Sequence, residues 1–188
     1  MSDLLFIRHA ETDMAGTFCG HSNPPLNMRG RTQISGLLRT LNAESIDEVY
    51  ASDLLRAQET GEAIAEARAI KCYLRPALRE INFGQWEGLT WKEIEQRHSA
   101  HAQRWVDEYP RLQAPDGESI VDFERRVLAE VNLLTMKAKK NDIAVVTHGG
   151  VLRIVMCRLC GCSEEEAWER TQSYCSIYRF RIPTRASK

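Results

Sequence analysis

The chain of 188 residues has almost no surplus charge, 25 lysines and arginines standing against 26 aspartates and glutamates. So even a balance gives no global field to draw it to nucleic acid or an anionic membrane, and any basic cluster must be local. Long apolar runs are missing too: none approaches the ~20 residues of a membrane span. The charged Arg8 arrives too early for a signal peptide. These absences predict a cytosolic protein without nucleic-acid or membrane partners. No internal repeat, linker or low-complexity segment interrupts the chain. Its length suits one domain with a single sizeable core better than two.

Six cysteines are present, at positions 19, 72, 157, 160, 162 and 175. Without a secretory signal they are expected to be free thiols. Cys157, Cys160 and Cys162 lie close enough to suggest zinc, but such a site wants a fourth ligand and usually a paired knuckle. Cys157 and Cys160 instead fall within an apolar helical pattern, so reduced core thiols and no metal are expected.

Elements alternate along the chain. Residues 4–8 read as a strand and 13–27 as a loop rich in Gly, Asn and Pro that could line a site. A helix is predicted over about 31–41 after Gly30, a strand at 48–51, a helix over 54–68 and a short strand at 71–74. Such alternation argues for a three-layer α/β/α fold with a mostly parallel central sheet. Between about 89 and 115 the strand signal gives way to helical charge patterns anchored by Trp91, Ile94, Trp105 and Tyr109. This segment reads as a small helical cap inserted in a single domain spanning 1–188, placed where substrate choice would reside. Its aromatics read first as packing residues, and His98 and His101 as solvated cap residues.

Ser119 and Asp122 resemble a capping pair for a helix carrying Phe123, Val127, Val131 and Leu134. A continuous apolar strand at 143–146 leads through Thr147, His148, Gly149 and Gly150 to an apolar helix over 151–159. The run 176–182 alternates as a half-exposed strand should, and closes a sheet edge.

The chemistry gathers where strands end. The string RHAET, Arg8 to Thr12, sets a guanidinium beside an imidazole directly after the first strand. Arginine can hold two phosphoryl oxygens in its planar fork, and a neutral imidazole offers a lone pair that can attack phosphorus. A neighbouring cation disfavours protonation, so His9 should stay nucleophilic near neutral pH. The alternative is that the pair merely caps a strand at the surface. Downstream, YASDLLRAQET (50–60) carries Ser52 or Asp53 as N-cap and Arg56 in the first turns, where a helix start already attracts anions. LREINFGQWEG (78–88) supplies the Glu80 carboxyl, and His148 emerges at a second strand end. In an open α/β sheet the ligand crevice lies at the carboxyl ends of strands, so His9, Arg56 and His148 could share one mouth.

Together RHAET, SDLLRAQET, LREINFGQWEG and THGGVLR strongly resemble the histidine phosphatase superfamily, the phosphoglycerate mutase-like fold, over most of the chain. The resemblance implies a metal-independent, cofactor-free phosphomonoesterase acting on a small-metabolite ester. His9 would become the phosphohistidine, with Arg8, Arg56 and His148 clamping phosphoryl oxygens, Glu80 donating a proton and Thr12 a supporting hydroxyl. Ala10 stands where the family commonly has glycine, and Ala15 where many members place a phosphate-contacting asparagine. The stretch 20–33 and the tail CGCSEEEAWER look similar to small bacterial phosphatases of the α-ribazole phosphatase type, which makes α-ribazole phosphate a specific substrate candidate.

Four other readings compete. Glu118, near a helix start, is a second choice for the proton donor. Cys175 and Arg181 have the C-x5-R spacing of cysteine phosphatases, but the residues between them lack glycine and read as a strand rather than a phosphate-cradling loop. A mutase would return the phosphoryl group to a sugar-acid hydroxyl. A non-catalytic phospholigand-binding protein would be expected to have lost a charged member of the pocket, and none is missing here.

Overall fold

The computed structural model describes residues 2–108 and 111–183; the expected anchor Tyr109 lies outside them. Five strands form one sheet: β1 (Ser2–Arg8), β2 (Glu48–Ala51), β3 (Cys72–Leu74), β4 (Ile143–Thr147) and β5 (Ile177–Ile182). Their order is β3-β2-β4-β1-β5. All neighbours are parallel except β5, which runs antiparallel to β1 at the edge. β1 and β4 are central and covered on both faces, which is why both read as continuous apolar runs.

The faces divide by alternation. Leu5, Ile7, Ala144 and Val146 point to α1 (Met28–Leu41) and α2 (Leu55–Glu66), meeting Leu37, Leu41, Ala57 and Ile64. Leu4, Phe6, Ile143 and Val145 point the other way. They meet Phe123, Val127, Val131 and Leu134 of one helix and Val151, Leu152 and Val155 of another. Along the chain, α2 is followed by α3 (Trp91–Arg97) and α4 (Ser99–Glu108), and then by α5 (Ile120–Lys137), α6 (Gly149–Cys160) and α7 (Glu164–Arg170). The three-layer α/β/α arrangement follows.

Several boundaries differ from expectation for local reasons. α1 begins at Met28, because the Asn27 side chain accepts the Gly30 N–H at 2.7 Å. α2 has Leu54 in the N-cap position with no side-chain cap, since Ser52 and Asp53 are engaged elsewhere. Ser119 does cap α5, accepting the Asp122 N–H at 3.1 Å.

Trp91 and Trp105 turn inward. Trp86, Ile94, Ala102 and Ala114 are buried, with Phe18, Phe83, Trp91 and Trp105 packed against them. His101 is part of this packing, its ring 5.6 Å from Trp86 and its Nε2 2.8 Å from the Gln113 carbonyl. It is not the solvated residue anticipated. The six cysteines are free, five partly buried and Cys160 exposed, so none is a fully buried core residue. No described helix is long and apolar enough to cross a membrane.

Candidate active site

The register that pairs Arg8 with Thr147 puts the next residues, His9 and His148, side by side where β1 and β4 end. Their ring centroids are 5.0 Å apart. β1 is followed by a helix on one face of the sheet and β4 by a helix on the other, which opens a crevice between the adjacent strand ends. α6 starts at once, with His148 in its N-cap position. The sequence had suggested a start at 151.

His9 is held in one tautomer. Its Nδ1 lies 2.7 Å from the Ala10 carbonyl, which can only accept, so Nδ1 carries the hydrogen. The Nε2 lone pair then faces Arg56, whose Nε–H donates to it at 3.3 Å. Burial is the main reason the His9 imidazole titrates well below its usual range, with the Arg56 guanidinium next and Arg8 weakest. The sequence had credited the neighbouring cation; desolvation outweighs it. His148, buried likewise, is also pushed well down, by desolvation first and then by Arg56 and His9.

Arg56 is fully buried at the start of α2. Its Nη1 donates to the Ser22 carbonyl at 2.7 Å, and its Nη2 to those of Cys19 (3.1 Å) and Gly20 (2.8 Å). The Gly- and Pro-bearing loop therefore seats this guanidinium. Ser52, absent from the expected site, places its Oγ 2.8 Å from His148 Nε2 and accepts the Leu54 N–H at 3.3 Å. Asp53 pairs with Arg79 instead, at 2.7 and 2.5 Å.

Arg8 is gripped from the far end of the chain. Its Nη1 donates to the carbonyls of Thr171 (2.8 Å) and Gln172, and its Cζ lies 4.3 Å over the Tyr174 ring. That ring is also 5.6 Å from His9. Two buried nitrogens here, Arg8 Nε and His148 Nδ1, have no hydrogen-bond partner among the described residues. A buried donor left so costs about 1–3 kcal/mol, recovered when an acceptor arrives.

Glu80 stands at the amino end of α6. Its oxygens accept the N–H of Ile81 at 2.9 Å and of Gly150 at 2.8 Å. A Cβ on Gly150 would collide with Glu80 Oε1, so glycine is what lets the carboxyl approach. Arg126 fixes the backbone carrying Glu80, donating to the carbonyls of Ala77 (3.0 Å), Arg79 (2.7 Å) and Glu80 (2.8 Å). The same guanidinium takes both oxygens of Glu118 at 2.7 Å. Glu118 is thus a structural partner of Arg126, not a second proton donor free at the mouth.

A family model described as the histidine phosphatase superfamily, branch 1, matches residues 4–187. This chain belongs to that superfamily. The adenosylcobalamin/alpha-ribazole phosphatase of Escherichia coli strain K12 is 32% identical over 167 residues, which cover 88% of this chain and 82% of the relative. Phosphoserine phosphatase 1 of Hydrogenobacter thermophilus is 29% identical over 170 residues, 89% of this chain and 81% of the relative. The crystal structure of the alpha-ribazole phosphatase from Shigella flexneri superposes with a TM-score of 0.80 at 31% identity, covering 89% of this chain and 84% of that one.

The remaining residues expected in this histidine phosphatase fall as follows. Thr12 is buried, but its Oγ1 accepts the Met14 N–H at 3.3 Å and its backbone bridges to Leu26, so it shapes the loop. Ala10 is fully buried and bonded through its N–H to Thr60 Oγ1 at 3.1 Å, whereas Ala15 is exposed. Cys175 packs against the α1/α2 side of the sheet, and burial pushes its thiol up to about 11, the opposite of what a nucleophile needs. Arg181 lies on β5. Tyr174 escaped sequence reasoning because nothing in the local pattern marks it. Ser52 lay inside a recognised motif and was read only as a cap.

Proposed function

We propose that His9 is the nucleophile of a two-step phosphomonoester hydrolysis carried out by this histidine phosphatase. The reading rests on one observation: the Nε2 lone pair of a neutral, tautomer-fixed His9 faces Arg56, in a site where Arg8 Nε and His148 Nδ1 have no hydrogen-bond partner among the described residues. In-line attack forms the N–P bond as the ester P–O bond breaks, and the protonated Glu80 carboxyl gives its proton to the departing oxygen. Water then attacks phosphorus, the N–P bond breaks, and Glu80 takes the water's proton. The hydrogen stays on His9 Nδ1, donated to the Ala10 carbonyl, throughout.

Arg8 and Arg56 offset charge on the equatorial oxygens in both steps. A Ser52 hydroxyl donating to His148 Nε2 leaves the hydrogen on Nδ1, which then serves as a further phosphoryl donor. The substrate class is a small-metabolite phosphomonoester, with α-ribazole phosphate and phosphoserine as the first two to assay, given the activities named for the relatives. The segment at about 89–115 is the cap of a single domain, with Trp91 and Trp105 packed into its apolar cluster.

Incubating the protein with a phosphomonoester in EDTA, quenching in alkali and mapping the label tests this reading. A base-stable, acid-labile phosphoryl group on His9 with release of inorganic phosphate is expected. Label elsewhere refutes the nucleophile, and phosphate moved without release marks a mutase.

A further inference from the structure

Glu87 follows the 3-10 turn Gly84–Trp86 and touches the loop that seats Arg56. Its carboxylate accepts the N–H groups of Gly20 (3.1 Å), His21 (2.7 Å), Ser22 (3.0 Å) and Phe83 (3.0 Å). From the other side, the carbonyls of Cys19, Gly20 and Ser22 accept from Arg56. The loop peptides therefore lie between an anion and a cation, with N–H directed to one and C=O to the other. Gly20 is required for so close a fit, since a Cβ there would collide with Ile81 O and Glu87 Oε1. Burial by itself would raise the Glu87 carboxyl, yet the bonds from Ser22, Phe83 and His21 bring it below its usual range.

We infer that Glu87 is the positioning residue for Arg56, acting through the aligned peptides of residues 19–22 to set the guanidinium against His9 and the phosphoryl oxygens. The inference deepens the proposed mechanism and rests on His9 being its nucleophile. Glutamine at position 87 offers one carbonyl oxygen and turns an NH2 group toward amides that themselves donate. The loop must loosen, and the Arg56 seat with it.

The sign of one shift separates positioning from other effects. Removing a negative charge acts directly on His9 to lower its titration midpoint. Retreat of Arg56 removes a positive charge and raises it. Isotope-edited NMR of the imidazoles in the ligand-free protein reads that midpoint, with His9 assigned by loss of its signal in His9→Gln. For Glu87→Gln the midpoint should rise, inhibition by inorganic phosphate should weaken, and kcat/KM should fall by about 10- to 100-fold. A folded Glu87→Gln protein whose His9 midpoint is unchanged or lower overturns the inference. If that variant does not fold, Glu87→Asp decides, because its shorter carboxylate cannot reach all the amides: a smaller rise supports positioning and no rise overturns it. The midpoint is measured without turnover, so absence of phosphohistidine at His9 in the parent protein would defeat the mechanism separately.

Discussion

Two imidazoles buried in their neutral form make stability depend on acid in a way that can be worked out beforehand. In the unfolded chain each titrates near 6.5; in the folded protein both are held well below that. Below pH 6.5 the unfolded state therefore binds more protons, and stability falls as pH falls. While both rings remain neutral in the fold, each costs about 2 kcal/mol at pH 5 relative to pH 7.5, from a limiting slope of about 1.4 kcal/mol per pH unit. The pair accounts for about 4 kcal/mol, a large share of a typical 5–15 kcal/mol.

His21, also lowered by burial, adds in the same direction. Asp53 and Glu87 are held below their usual carboxylate values, so their contributions are lost only at more acid pH, outside this window. Urea unfolding followed by circular dichroism from pH 7.5 to 5.0, in phosphate-free buffer to avoid ligand linkage, gives the slope for the parent, His9→Gln and His148→Gln. Each substitution should remove about one proton's worth of slope between pH 6.5 and 5. Parallel curves for all three proteins would show that the folded rings take up protons as freely as the unfolded ones, and the burial argument would fail.

Other perturbations address the chemistry directly. Glu80→Gln should slow alkyl phosphates by about 10²- to 10⁴-fold while sparing p-nitrophenyl phosphate, whose leaving group needs little protonation; equal losses on both would remove Glu80 as the acid. Gly150→Ala drives a methyl group into Glu80 Oε1, so the same leaving-group-dependent loss should appear with the carboxyl still present. Cys175→Ser should leave kcat/KM unchanged, and a collapse of turnover would bring the cysteine mechanism back. Hydrolysis should proceed undiminished after exhaustive EDTA treatment, and metal-restored activity would contradict the direct histidine route.

Much of the site was legible because its parts sit at element ends, where sequence signals are strongest. Arg8 and His9 follow an apolar run, His148 precedes Gly149 and Gly150, and Arg56 falls in the first turn of a helix. The supporting residues were not legible. Ser52 meets His148 across 96 positions, Tyr174 lies over Arg8 from the far end of the chain, and Arg126 reaches back 46 residues to the Glu80 carbonyl. No local period or spacing encodes such contacts. Glu118 was misread for the same reason: a carboxyl near a helix start looks available until a bidentate arginine is found on it.

Sequence alone determined the kinds of group available: a guanidinium beside an imidazole, a second imidazole before paired glycines, a carboxyl before a turn, and the alternation that builds a covered parallel sheet. These depend on residue type and short-range order, which the chain carries explicitly. Tertiary structure decided which nitrogen of His9 is free, how dry its surroundings are, and what holds each arginine. Those properties come from strand register and from backbone carbonyls and amides that every residue possesses, so only folding selects the few that matter.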